Sequence, residues 1–81
     1  MKPLRILVVE DDWLVALDLK HMLERRGREV VGTAADATEA LAAALRTSPD
    51  LALVDVNFRD GPSGASISAA VVRETKTPVI L

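Results

Sequence analysis

Three carboxylates are set apart by what precedes them. Glu10 and Asp11 follow directly on the apolar run Ile6–Val9, and Asp55 follows directly on Leu51–Val54. Short, uniformly apolar runs of this kind read as strands covered on both faces of a parallel sheet. In such sheets ligands and chemistry sit beyond the carboxyl ends of the strands. If the two strands are neighbours, Glu10, Asp11 and Asp55 converge. Like charges at close range raise one another's pKa, and a divalent cation resolves the conflict. Hard oxygen ligands with retained waters suit Mg²⁺, which takes one or two direct carboxylates. Neither His nor Cys stands nearby, which disfavours zinc. A metal at Asp55 would neutralise an incoming phosphoryl group and let the carboxylate act as its nucleophile.

Each acid alone has a plainer explanation. Glu10-Asp11-Asp12 suits a strand exit followed by a helix N-terminus, and Asp55 suits a residue that opens a turn. Together, at the tips of two inner strands, they would lower stability unless something binds them.

The elements that must position them follow in order. Leu4–Val9 reads as the first strand. From Trp13 to Arg26 the pattern is helical, with Asp12 as cap and Gly27 as the residue just past the end. The expected apolar face takes in Leu14, Val15, Leu17, Leu19, Met22 and Leu23. Glu29–Ala34 is a more polar strand with Gly32 inside it, which suggests a sheet edge. Asp36-Ala-Thr-Glu39 resembles a capping box. It opens a helix whose stripe is Ala37, Ala40, Leu41, Ala44 and Leu45, and Ser48-Pro49 ends that helix. A strand over Asp50–Asp55 follows. A third helix is expected from about Gly64 to Glu74 on Ile67, Ala70 and Val71, and a fourth strand over Thr77–Leu81.

This alternation predicts an α/β fold, a doubly wound parallel sheet with right-handed crossovers and helices on both faces. Apolarity puts strands one and three inside and polarity puts strand two at an edge, so the order is 2-1-3-4. The switch point then lies between Val9 and Val54, where the three acids meet.

The chain has 81 residues, 49% hydrophobic and 27% charged, with net charge −2 and no cysteine. That is one small globular domain over residues 1–81. The charge balance does not point to nucleic acid or an anionic membrane. No apolar run is long enough for a bilayer, and no signal-peptide core follows Lys2 and Arg5. The expectation is a soluble, cytoplasmic protein. Arg25, Arg26 and Arg28 fit the negative end of a helix better than a nucleic-acid patch. His21 reads as a solvated helix residue rather than a phosphorelay histidine. Trp13 reads as packed or partly exposed, or as lying over the acids. Arg59 is a candidate contact for a phosphoryl group.

Ile6-Leu-Val-Val-Glu-Asp-Asp12, Pro49-Asp-Leu-Ala-Leu-Val-Asp55-Val-Asn57, Gly64 and Thr77-Pro-Val-Ile-Leu81 together resemble the receiver domain of two-component response regulators. The resemblance runs over the whole chain and implies a flavodoxin-like fold. It implies that Asp55 accepts a phosphoryl group from a phosphohistidine donor, a sensor histidine kinase or phosphotransfer protein. Asp11 would ligate Mg²⁺ directly, Glu10 largely through water, and Asn57 through its backbone carbonyl. An output domain or downstream protein would read the result. Arg59 stands where the family usually has proline, and the loop to Gly64 is one residue longer than usual. The resemblance also implies that the fifth strand and last helices, with a hydroxyl residue and a lysine of the site, lie past Leu81. Strand four would then be an apolar edge through which the chain self-associates. The rivals are a phosphorylation-independent interaction module and an aspartyl-nucleophile phosphohydrolase. The latter commonly carries Asp-x-Asp after its first strand, unlike Glu10-Asp11-Asp12.

Overall fold

The computed structural model describes residues 2–54 and 64–80. Its elements run β1 (Arg5–Val9), α1 (Trp13–Arg25), β2 (Glu29–Ala34), α2 (Ala37–Thr47), β3 (Leu51–Val54), α3 (Gly64–Thr75) and β4 (Val79–Ile80). All pairings are parallel and the order is β2-β1-β3-β4. This is the doubly wound arrangement that apolar β1 and β3 and polar β2 predict, and it agrees with the flavodoxin-like fold that the family resemblance implies. The strands begin one residue later than expected at Leu4 and Asp50, and two later at Thr77. Asp55 and Leu81 themselves lie outside the described residues.

The sheet divides two cores. On one face Leu7, Val9, Ala52 and Val54 meet Ala40, Ala43 and Ala44 of α2 and Val71 of α3. On the other, Ile6 and Val8 meet Ala16 of α1, with Leu19, Leu23, Leu51 and Leu53 partly buried around them. Alternate residues of β1 therefore serve opposite faces, as period-two geometry requires. Burying a side chain such as Leu7 completely is worth about 1.5–3 kcal/mol.

β2 does not alternate so simply. Val30 packs with the α1 core and Ala34 with the α2 core, although four residues apart on one strand should share a face. The register explains it: Ile6 faces Val30, but Leu7 faces Gly32, so Val31 is an extra residue. Such a bulge turns the rest of the strand over.

Two helix faces differ from the expectation. Of the broad α1 face, Leu14 is 53% exposed, and Val15, Leu17 and Met22 are also exposed; Ala16, Leu19 and Leu23 carry the packing. In α2, Leu45 is 65% exposed and Ala43 takes its place. In both helices alanine lies against the sheet, and the small side chain lets the helix sit close. The larger residues flank that line of approach.

The helix ends follow their sequence signals. Asp12 and Asp36 are the N-caps of α1 and α2. After α1, Gly27 has φ +81°, its N–H donates to the Glu24 carbonyl, and the Arg28 N–H donates to the Leu23 carbonyl. This double bond pattern closes the helix with a left-handed glycine. Ser48 ends α2 in the same left-handed region and precedes Pro49. Among the described residues no helix is long and apolar enough to cross a membrane.

Candidate functional site

Every strand of a parallel sheet ends on the same side, and there β1 releases Glu10 and Asp11. The Glu10 N–H donates to the Ala34 carbonyl at 2.8 Å, which carries the β1–β2 ladder one step past the strand. Glu10 is a buried carboxylate, 6% exposed. Burying such a group unpaired is costly, and Glu10 Oε1 accepts from the Asp12 N–H at 3.1 Å. Asp11 is half-exposed at the mouth of the site. The N-termini of α1 and α2 both lie on this side, and the positive ends of their dipoles favour negative charge there.

Asp12 caps the helix that follows. Its Oδ1 accepts from the Leu14 and Val15 N–H groups at 3.0 and 3.3 Å, as a helix cap does. The run of three acids thus divides into a pair at the strand tip and a cap.

Beside the pair a cleft of about 290 Å³ opens between α1 and the β2–α2 connection, lined by Glu10, Asp11, Trp13, Leu17, Lys20 and Glu39 among others. Trp13 is 76% exposed along its rim, so it is not a core residue. Glu39 forms the far wall because it caps α2: its Oε1 accepts from the Ala35 N–H at 3.0 Å while Asp36 Oδ1 accepts from the Glu39 N–H at 2.8 Å. The expected capping box is therefore present, with the glutamate reaching one residue further back than usual. Nothing in the sequence order places Lys20 or Glu39 near Glu10. The signal lies in the pairing, since Val9 faces Ala34 and the chain then turns into α2.

Among the described residues no group of three or more His, Cys, Asp or Glu could hold a metal. Glu10 and Asp11 form the described portion of the predicted set. Asp55, Asn57 and Arg59 lie outside the described residues. What is described fits Mg²⁺ in kind: two carboxylates, oxygen donors throughout, one of them fixed by a backbone N–H. His21 is exposed on α1, away from the strand tips. Arg25, Arg26 and Arg28 are exposed around the C-terminal end of α1, and Arg28 Nη1 donates to the Arg26 carbonyl at 2.7 Å.

A family model described as "Response regulator receiver domain" matches residues 6–81. The chain is 44% identical over 66 residues to transcriptional regulatory protein PdtaR of Mycobacterium tuberculosis, covering 79% of this chain and 32% of that protein. It is 37% identical over 76 residues to phyllosphere-induced regulator PhyR of Methylorubrum extorquens, covering 93% of this chain and 28% of that protein. The crystal structure of the response regulator PhyR from Brucella abortus superposes with a TM-score of 0.86 at 36% identity, over 96% of this chain and 32% of that one. The chain spans less than a third of the length of these relatives.

Proposed function

The chain belongs to the response regulator receiver family, and from that premise we propose that it is a phosphoryl-accepting signalling domain with Asp55 as acceptor and Mg²⁺ as cofactor. The observation that carries the reading is the register of the two inner strands. Val9 of β1 faces Val54 of β3. In the sequence, Glu10 is the residue after Val9 and Asp55 the residue after Val54.

In this reading Asp11 and Asp55 would ligate the metal directly, Glu10 would act largely through water, and the Asn57 backbone carbonyl would complete the protein's share. Bound there, Mg²⁺ supplies charge neutralisation for the phosphoryl oxygens. One Asp55 carboxylate oxygen attacks phosphorus, the bond from phosphorus to the donor imidazole nitrogen breaks, and that nitrogen keeps the electron pair. The Asp12 N–H holds Glu10 Oε1 beside the proposed metal position. The added phosphoryl charge and acceptor oxygens then bias a two-state surface.

The donor is a phosphohistidine on a sensor kinase or phosphotransfer protein. The reader is an attached output domain or a downstream protein, and the setting is cytoplasmic. The chain acts as a signalling acceptor rather than as a turnover catalyst.

Incubation with a small phosphodonor and Mg²⁺, read by intact mass, tests the central reading. One added phosphoryl group that disappears in Asp55→Asn supports it. Modification at another residue overturns it, and absence of Mg²⁺ binding would favour an interaction module that needs no phosphorylation.

A further inference from the structure

Asp12 is the acid of the Glu10-Asp11-Asp12 run that the proposed metal site leaves unused. Its Oδ1 takes the Leu14 and Val15 N–H groups, and its carbonyl takes the Ala16 N–H at 2.9 Å. These bonds hold its backbone extended, at φ −93° and ψ 110°. In that conformation its own N–H points back to Glu10 Oε1 at 3.1 Å. Cap and aim are linked: without the side-chain cap, the peptide that orients the buried Glu10 carboxylate keeps only its bond to the Ala16 N–H.

We propose that Asp12 is a positioning residue for the Mg²⁺ site, acting on Glu10 through the backbone and not as a ligand. The inference rests on the metal reading above. It assigns the third acid a role that its charge alone would not suggest.

Three variants of the full chain separate cap from charge. Asp12→Asn and Asp12→Ser keep a capping oxygen, and Asp12→Ala does not. All three lose the same charge, so any long-range electrostatic effect on the cation is common to them. Mg²⁺ dissociation constants would be read from Trp13, the chain's only tryptophan, which lines the cleft beside Glu10 and Asp11. Calorimetric titration would provide a second readout. Both would be run in about 0.15 M salt to screen distant charge.

Asp12→Ala is expected to bind Mg²⁺ about fivefold more weakly than Asp12→Asn and Asp12→Ser, the factor that a typical cap loss of about 1 kcal/mol converts to. Equal constants across the three overturn the proposal. So does abolished binding in all three beside a wild type that binds, because that outcome makes Asp12 a ligand. If Asp12→Ala does not fold, the other two decide: binding close to wild type supports positioning, and its loss refutes it. A wild type with no Mg²⁺ response overturns the metal reading itself, which keeps the two failures distinct.

Discussion

Gly27→Ala tests the closure of α1 against a single conformational quantity. Gly27 has φ +81°, and a Cβ built there meets no heavy atom within 4 Å. The substitution therefore creates no clash with the rest of the fold, and its cost is local. An L-residue in the left-handed region costs about 1–2 kcal/mol. Alanine also stiffens the unfolded chain, which returns about 0.4–1 kcal/mol. The net loss is about 1 kcal/mol, with the two hydrogen bonds of the Leu23–Arg28 turn retained or lengthened together. For a chain of 81 residues this lowers Tm by about 6 °C. Thermal and urea melts followed by circular dichroism would measure it, with the urea slope unchanged because the buried surface is unchanged. Gly27→Asn should fall less, since asparagine enters this region more readily. A Gly27→Ala chain as stable as wild type would refute the reasoning, because no tertiary contact exists at that position to compensate.

Other outcomes follow from the same structure. Lys76 holds φ +62° without being glycine, so Lys76→Gly should raise stability by up to about 1 kcal/mol, read in the same melts. Leu7→Ala removes a side chain with no exposed surface and should cost about 2–5 kcal/mol; in so small a chain, chemical denaturation should show a large unfolded fraction before denaturant is added. Mg²⁺ at ten times its Kd should stabilise the wild type by about 1.4 kcal/mol, a rise in Tm of about 8 °C. Chelation should reverse the rise, and an equal rise in Asp11→Asn would contradict that residue's place in the site.

The order of the strands was readable because burial on two faces leaves a mark on composition. Ile6–Val9 and Leu51–Val54 carry no polar residue, while β2 carries Glu29, Gly32 and Thr33. Both helix starts were readable for a local reason, since Asp12 and Asp36 cap the segments that follow them. The faces of α1 and α2 were only partly readable. A pattern that ranks leucine above alanine puts Leu14, Leu17 and Leu45 inward, whereas close approach of helix to sheet selects Ala16, Ala40, Ala43 and Ala44. Of the predicted site, Glu10 and Asp11 stand together at the tip of β1. The surrounding Lys20 and Glu39 depend on which residue of β2 faces which residue of β1, and hydropathy does not encode that register.

The surplus residue in β2 bears on how this chain tolerates changes of length. Val31 is skipped between the pairs Ile6–Val30 and Leu7–Gly32. Deleting it would leave every remaining partner across β1 and β2 as it is. Because Val30 and Val31 are the same residue, losing either one gives the same chain. The valine pair is thus the point in this strand where a codon can be lost without moving the acids at the far end.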